Sequence, residues 1–429
     1  MSSAAQSGIT SSEAVPRIVQ LASAISKSVS NIQRTLHAEG IASPSFDEDA
    51  SFHLPLETSK DHDIVLDATA ELHDLLLEPL NLIHRHGAHN NLVCLGAIAE
   101  FKIADLVPLN GRVSFREIAS KTPMTERMTA RILRHAMTMR VFREPEPGMV
   151  AHTSASKILR HSPANDWLQS GTREMWPAAT KMIEALQTWP ASEEPNETGY
   201  SLSNDDTVYG VFAKDNERAG RWARGMAIFS KRPQFNLSYV TDHYDWESLG
   251  HARVIDISSQ GALSVTLAKK YNNLQLTAQD VQKGREDAVP EELRDRVRFT
   301  AHDPFAPQPC MGADVYSLRW MLHSWSNKYC IQILQALVPA LKPGARVLVQ
   351  ETLMPEPGTA ALWKEKNIRA TDLNMAAAFN GQERTVAELR SLVTRADSGF
   401  AFQTAIEPEG SALGILEFTW QGPAKQHTD

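Results

Sequence analysis

Cysteine is scarce in this chain, and its scarcity excludes several classes of protein. Only three cysteines occur among 429 residues, Cys94, Cys310 and Cys330. They lie far apart and show none of the short spacings that zinc and iron–sulfur sites use. A disulfide framework in a small secreted protein needs more of them. We therefore expect buried free thiols, no metal, and a reducing compartment, namely the cytoplasm.

Positive charge and long apolar runs are scarce as well. The formal net charge is -8 at pH 7, whereas a nucleic-acid partner requires a basic face that displaces counterions. No apolar run approaches the roughly 20 residues that span a bilayer. The N-terminal segment MSSAAQSGITSSEAV lacks the basic region and apolar core of a secretory signal. We expect neither nucleic acid nor membrane as a partner.

Glycine is missing at one informative turn. The stretch VIDISSQGALSVTLAKKY, residues 254–271, has the pattern of a buried strand, a tight turn and the start of a helix. In doubly wound α/β domains this turn holds the phosphate or sulfonium end of a nucleotide-like ligand. After Asp256, which ends the strand, the turn contains Ser258, Ser259, Gln260 and Gly261, so it has one glycine where three are usual. The Cβ atoms of the two serines would crowd such a ligand and disfavour positive φ.

The chain length predicts two or three domains, and the patterns divide the chain into four segments. Residues 1–60 form an N-terminal arm with one helix and a linker. Residues 61–154 combine short helices with a β-wing around EPEPG, which is typical of a winged-helix unit. Such units bind DNA or mediate dimerisation, and the acidic charge of the chain favours dimerisation. Residues 155–246 are a helical connector, a common place for a pocket, and residues 247–429 form the last domain.

Strands and helices alternate from residue 253 to the end, which predicts an α/β fold. Strands are predicted at 253–257, 274–278, 297–301, 313–318, 345–350 and 414–420. Helices are predicted at 262–271, 288–294, 326–341, 359–378 and 385–396. This alternation implies a mainly parallel sheet with helices on both faces and a ligand site at the carboxyl ends of the strands.

Polar residues follow several of these predicted strands. Asp280 closes the second strand and fits hydrogen bonding to ribose hydroxyls, and Asp303 follows the third strand. His323 lies where the fourth strand ends, beside Trp320, and a histidine there can act as a general base near neutral pH. The alternatives are turn-forming aspartates and a hydrogen-bonded core histidine. Glu351 ends the fifth strand, and Glu383 lies in the segment NGQERT. For each of them, one interpretation is an acid that holds the ring nitrogen of the base, and the alternative is a loop carboxylate in solvent.

Several long segments resemble the fungal O-methyltransferases related to the plant caffeic-acid type. The resemblance runs from about residue 60 to the end of the chain. Its most specific segments are AIAEFKIADLVP, RILRHAMTMRVF, FTAHDPFAPQP, ADVYSLRWMLHSWSNKYCIQIL, LVPALKPGARVLVQETLMPEPG and FNGQERT. The resemblance implies a winged-helix dimerisation domain exchanged with a second subunit. It also implies a Rossmann-like class I methyltransferase domain for S-adenosylmethionine (SAM).

The resemblance also assigns roles to individual residues. The implied cofactor-binding residues are Asp256, Gly261, Asp280 (ribose), Asp303 and Pro304 (adenine), and Arg319 (the carboxylate end). His323 matches the base that removes a proton from a phenol or enol, and Glu351 and Glu383 match the two acids beside it. Two departures stand out. The family's DVGGGxG loop reads DISSQG here, and its HDWSD segment reads HSWSN, so that carboxylates are lost at Ser324 and Asn327.

These departures lead to three hypotheses about function. The first, which the departures favour over the other two, is a pericyclase, which closes a reactive 2-pyridone quinone methide by Alder-ene or hetero-Diels–Alder reaction without a methyl donor, so that SAM binding becomes doubtful. Such an enzyme needs a shaped pocket and a hydrogen-bond donor. The second is SAM-dependent O-methylation of a phenolic or enolic natural product. The third is an inactive partner or a winged-helix binding protein.

Further residues complete the predicted site. His161, in SKILRHSPANDW, resembles the position of a hydrogen-bonding histidine in a pericyclase relative; the alternative is an exposed histidine at a helix end. The apolar residues Met226, Ile228 and Phe229, together with Trp320, are predicted to line a pocket for a small natural-product substrate.

Overall fold

A computed structural model describes residues 15–87, 89–257, 261–281 and 289–423. The chain divides into two compact units, Met1–His89 with Ala361–Trp363, and Asn90–Ala360 with Lys364–Asp429. The four segment boundaries deduced from the sequence remain a prediction. Within the described ranges, no helix combines the length and the hydropathy that crossing a bilayer requires.

The first unit is built from three helices, α1 (Arg17–Ala38), α2 (Ser59–Leu75) and α3 (Pro79–His86). Helix α1 begins directly after Pro16, whose fixed φ and missing N–H are tolerated at the start of a helix. Arg17 on α1 donates two hydrogen bonds to the carboxylate of Glu71 on α2. Asp67 accepts from the backbone N–H groups of Leu362 and Trp363 at 2.8 and 2.9 Å, which ties residues 361–363 to this unit.

The second unit starts with a small helical region. It contains α4 (His89–Glu100), α5 (Ile103–Leu106), α6 (Phe115–Ser120), α7 (Glu126–Thr138) and the antiparallel strands β1 (Val113–Ser114) and β2 (Met149–Val150). Its core includes Ile98, Ile118 and Leu133, which are fully buried. Thr125 caps α7 by accepting a hydrogen bond from the N–H of Met128 at 3.2 Å. The winged-helix description of this region remains a prediction.

A set of helices follows between this region and the sheet. They are α8 (Ser154–Lys157), α9 (Pro163–Ser170), α10 (Trp176–Thr188), α11 (Gly199–Asn204), α12 (Val208–Lys214), α13 (Asn216–Ser230) and α14 (Ser238–His243). A π-helical turn, Gly171–Met175, joins α9 to α10. Within it Glu174 is buried and accepts from the Tyr200 hydroxyl and from Arg218 and Arg221. This pairing satisfies a buried carboxylate and fixes α13 against the turn.

The remaining chain forms the predicted α/β domain. Its strands are β3 (Ala252–Ile257), β4 (Leu274–Asp280), β5 (Val297–Ala301), β6 (Val315–Arg319), β7 (Arg346–Glu351), β8 (Phe400–Ile406) and β9 (Gly414–Trp420). In the described chain they form one sheet of order β5-β4-β3-β6-β7-β9-β8, parallel except at β9 and β8. The accompanying helices are α15 (Ala262–Lys270), α16 (Asn327–Leu337), α17 (Leu362–Phe379) and α18 (Val386–Ala396). Buried side chains cover both faces of the sheet.

This arrangement confirms the predicted fold class, with two differences. Strand β8 was not predicted, because its FAFQTAI sequence is half exposed and its apolar residues are interrupted by Gln403 and Thr404. The helix predicted at 288–294 is wrong in its described part, where the chain forms only a short 3-10 turn, Glu291–Leu293, after Pro290. Pro290 disfavours helical backbone at Val289, the residue before it, so a helix is not expected to run through both positions.

Candidate active site

The carboxyl ends of four adjacent parallel strands form the edge where the sequence predicts a ligand. Asp256 on the central strand β3 pairs in register with Ala278 on β4 and Ser317 on β6. The strand order therefore brings the ends of β5, β4, β3 and β6 side by side. This edge is where nucleotide-like ligands bind in doubly wound sheets.

The turn after β3 lies partly outside the described residues. Ser258, Ser259 and Gln260, on which the prediction of a weakened cofactor loop rests, belong to the undescribed part. Gly261 is described and adopts φ +79°, and a Cβ on it would collide with the Phe299 ring. Asp256 is fully buried, and its Oδ2 accepts from the N–H and the hydroxyl of Ser264 at 3.1 and 2.8 Å. Asp256 thus anchors the start of α15.

The other predicted cofactor residues follow the neighbouring strands. Asp280 is the half-buried last residue of β4, and its carbonyl accepts from the N–H of His302. Asp303 is exposed and accepts from the N–H of Phe305 at 3.0 Å, with Pro304 between them. Arg319 ends β6 and donates to the Gln350 side chain and the Phe235 carbonyl, at 2.9 and 3.0 Å. Burial lowers the pKa of the Arg319 guanidinium. The roles of Asp280, Asp303, Pro304 and Arg319 toward a cofactor remain predictions.

His323, Glu351 and Glu383 come together just beyond β6 and β7. The Nδ1–H of His323 donates to Oε1 of Glu383 at 2.9 Å. Oε1 of Glu351 accepts from the backbone N–H groups of Met321 and Leu322, at 2.9 and 2.6 Å. Both carboxylates are buried, while 13% of the His323 side chain is exposed. A substrate can therefore reach the imidazole, whose Nδ1 is held by an acid.

The charges around His323 and its burial shift the pKa of its imidazole in opposite directions. Burial lowers the pKa of the His323 imidazole, but the hydrogen bond to Glu383 and the negative charges of Glu351 and Glu383 outweigh it and raise the pKa. Burial, and then the Glu383 charge, raise the pKa of Glu351 against the opposing effect of His323 and the two N–H groups. The cluster is therefore arranged to accept a proton and to stabilise the resulting imidazolium.

The FNGQERT segment explains how Glu383 reaches the histidine. A Cβ on Gly381 would collide with the carbonyl oxygen of His323, so only glycine permits this approach. The N–H of Gln382 donates to that same carbonyl at 2.9 Å. Buried Arg384 donates to the carbonyls of Leu322 and Trp325, at 3.0 and 2.8 Å. Sequence reasoning singled out Glu383 but missed Gly381 and Arg384, although all three lie in one motif.

An aromatic wall adjoins the imidazole. The Trp320 ring stacks on His323, Phe229 and Phe235, with ring centroids 5.8, 5.7 and 4.6 Å apart. Phe229 in turn stacks on Trp167 at 6.2 Å. Trp320 has φ +52°, and its buried Nε1–H has no hydrogen-bond partner in the described chain. The structure thus places the predicted pocket residue Trp320 against the histidine, and the predicted pocket residue Phe229 against Trp320.

Two further pocket predictions, Met226 and Ile228, lie half-buried on α13, the helix that carries Phe229. No described contact tests whether either faces a substrate, so their pocket role remains a prediction.

His161 lies in a different environment. Its side chain is 63% exposed, and its Nδ1 lies 3.2 Å from Oδ1 of Asp105. Its backbone N–H also donates to this carboxylate, at 2.7 Å, and its φ is +45°. The observed position is the exposed one at a helix end, just before α9. The described contacts of His161 do not join it to the His323 cluster, so its catalytic role remains an untested prediction.

Comparison with known proteins identifies the family. The model of the O-methyltransferase domain matches residues 188–401, and that of the O-methyltransferase dimerisation domain matches residues 88–162. The O-methyltransferase PaMT of Phomopsis amygdali is 42% identical over 410 residues, covering 94% of this chain and 96% of that protein. The chain belongs to the O-methyltransferase family. The resemblance deduced from the sequence is confirmed.

Other members of the family and of the fold extend this picture. The chlorophenol O-methyltransferase of Trichoderma longibrachiatum is 34% identical over 421 residues, covering 94% of this chain and 90% of that protein. The crystal structure of OxaC in complex with SAH and oxaline has a TM-score of 0.74 at 19% identity, covering 94% of this chain and 100% of that chain. At that identity the likeness concerns the fold alone. These comparisons do not support the expectation that the weakened turn makes SAM binding doubtful.

Proposed function

We propose that this O-methyltransferase-family enzyme transfers a methyl group from SAM to a phenolic or enolic hydroxyl of a small natural product of fungal secondary metabolism, with His323 as general base. The observation that carries the proposal is the 2.9 Å hydrogen bond between His323 Nδ1 and buried Glu383. It leaves Nε2 of the imidazole as the nitrogen that accepts a proton. The name of the chlorophenol relative supports a phenolic acceptor.

Each side chain of the cluster has a distinct task in this reaction. His323 Nε2 takes the hydroxyl proton of the acceptor as its oxygen becomes nucleophilic. Glu383 stabilises the imidazolium that forms, and fixes the ring orientation through Nδ1. Glu351 holds the turn that carries His323 through the N–H groups of Met321 and Leu322. Trp320 and Phe229 offer flat apolar surfaces for an aromatic acceptor.

The described residues at the sheet edge fit a SAM-like ligand. The buried Nε1–H of Trp320 and the buried hydroxyl of Thr300 have no hydrogen-bond partner in the described chain. Buried polar groups of this kind are usually satisfied by a ligand or water. Asp280 and Asp303 would hold the nucleoside, and Arg319 the carboxylate. When bound, SAM supplies the methyl group.

A second candidate function is supported by one feature of the sequence. The DISSQG turn has a single glycine, and a pericyclase would tolerate a weakened cofactor turn because it uses no methyl donor. The aromatic wall and His323 would then orient a quinone methide and hydrogen-bond its carbonyl. The relatives named as methyltransferases favour methylation over this reading. The retained His323–Glu383 pair argues against the third hypothesis, an inactive partner.

The dimerisation domain supports a homodimer as the working form, and an exchanged dimer in the cytoplasm is part of this proposal. Its mass is measured by light scattering on the purified protein. A monomer at micromolar concentration would contradict the dimer without affecting the chemistry assigned to His323.

Calorimetric titration with SAM, followed by reaction with a panel of simple phenols, separates the two chemistries. Micromolar SAM binding and a product heavier by one methyl group support methyl transfer. Absence of SAM binding, together with cyclisation of a reactive pyridone alcohol without cofactor, would replace methyl transfer by the pericyclase reading. A Glu409→Gln variant, altered at an exposed carboxylate between β8 and β9, serves as a matched control.

A further inference from the structure

The His323 cluster contains a set of metal-ligand atoms that the sequence did not reveal. His323, Glu351 and Glu383 each offer one ligand atom, and these atoms all lie within 4.8 Å of one another. An imidazole with two carboxylates suits Zn²⁺ and its neighbours Co²⁺ and Ni²⁺. The prediction of no metal rested on cysteine spacing, which says nothing about ligands that come from three separate segments of the chain.

A second observation concerns the oxygen atoms of the two carboxylates. Glu351 is 2% and Glu383 is 4% exposed. Oε2 of each is buried and has no hydrogen-bond partner in the described chain. The other oxygen of each is already in use, by backbone N–H groups at Glu351 and by His323 at Glu383. Two buried carboxylate oxygens without donors are costly, and a cation would offset that cost.

The neighbouring arginine does not fill this need. Arg384 donates to the carbonyls of Leu322 and Trp325 and to Oδ1 of Asn327. Its guanidinium is therefore committed to the backbone of the turn that follows His323. Its charge lies close enough to lower the pKa of His323, behind the stronger effects of burial and the two carboxylates. It donates to neither Oε2 atom in the described chain.

We propose that His323, Glu351 and Glu383 form a site for a divalent transition metal, Zn²⁺ or Co²⁺. Ligands bound tetrahedrally at about 2.0–2.2 Å from one metal lie about 3.2–3.6 Å apart. The three ligand atoms, which lie within 4.8 Å of one another, must therefore approach by up to about 1.2–1.6 Å. A water molecule completes the coordination on the exposed side of the imidazole.

Metal binding at this site abolishes the function of the histidine as a base. A metal on Nε2 occupies the nitrogen that accepts the proton. A metal on Nδ1 leaves the ring proton on Nε2, which then donates and cannot accept. The resulting inhibition rests on the proposed methyl transfer, whereas the binding itself does not.

The test is a titration of the purified, chelator-treated full chain with Co²⁺, followed by visible absorption, and with Zn²⁺, followed by calorimetry. We expect one equivalent per chain and the visible bands of four-coordinate Co²⁺. His323→Ala and Glu351→Gln should each weaken binding at least tenfold, with circular dichroism verifying the fold of each variant. The double variant His84→Ala/His86→Ala removes two exposed histidines of α3 and should bind as the wild type does.

The outcomes separate the metal site from the proposed function. Stoichiometric binding that both cluster variants weaken supports the site, even if the protein methylates no phenol. Wild-type protein that takes up no stoichiometric metal overturns it, as does a folded His323→Ala variant that binds as tightly as the wild type. If methylation is found, saturating Zn²⁺ should abolish it and a chelator should restore it. Unchanged rates together with stoichiometric binding would overturn the inhibition and the assignment of His323 as the base, but not the metal site.

Discussion

The replacement Glu383→Gln isolates the charge beside the catalytic histidine. In the native protein the Glu383 carboxylate accepts a hydrogen bond from the Nδ1–H of His323 at 2.9 Å. The side-chain oxygen of the glutamine can still accept this hydrogen bond. A hydrogen bond to an ionised group is worth about 1.5–3 kcal/mol, against about 0.5–1.5 kcal/mol for a neutral pair. The difference of about 1–1.5 kcal/mol acts once the imidazole is charged, and therefore in the transition state. We expect kcat to fall by about 5- to 13-fold.

The pH profile gives this prediction its direction. His323 must be neutral to accept a proton, so activity appears as pH rises through its pKa. Burial lowers that pKa, and the hydrogen bond and charge of Glu383 help to raise it above the ordinary value. In Glu383→Gln the acid limb of kcat/KM should therefore move to lower pH. A limb that stays in place or moves to higher pH, or an unchanged kcat, would refute the reasoning. Glu409→Gln is the matched control and should leave both quantities unchanged.

Three further predictions concern the same cluster. Gly381→Ala should destabilise the fold by about 1–3 kcal/mol in thermal denaturation, since its Cβ would collide with His323. The control Gly171→Ala, at helical φ in open space, should instead raise stability by about 0.4–1 kcal/mol. Arg384→Lys should lower stability and kcat/KM together, because lysine cannot reproduce the forked contacts; wild-type values for both would contradict that role. In the wild type, the midpoint of the acid limb of kcat/KM should lie at a pH above the ordinary pKa range of histidine, because the pKa of His323 is raised. A midpoint below that range would contradict the raised pKa.

Much of the fold follows from local sequence patterns. Buried strands such as β3 and β6 appear as short apolar runs, and helices such as α7 and α18 begin at the threonines that cap them. Strand β8 is different, because among the described strands it pairs with β9 alone, at the edge of the sheet, and has a bulge between Phe402 and Thr404. Its half-exposed pattern depends on that pairing, which local sequence does not encode.

The site shows the same division between local and long-range information. His323 and Glu351 were recognisable because each follows a buried strand, and Glu383 because it lies in a distinctive motif. The close approach of Gly381 and the contacts of Arg384 join segments nearly 60 residues apart, and no local pattern reports them. His161 is exposed at a helix end, which was the alternative that the sequence left open, and its catalytic role stays a prediction.

The most direct test of the account is the rate of methyl transfer from SAM to a phenol by wild-type protein and by His323→Ala, each at saturating SAM. The account predicts methylated phenol from the wild type, and a kcat about 100- to 10,000-fold lower in the variant, with SAM affinity unchanged in calorimetry. A variant that methylates at the wild-type rate would contradict the assignment of His323 as the base. A wild-type protein that neither binds SAM nor methylates any phenol would contradict the assigned reaction.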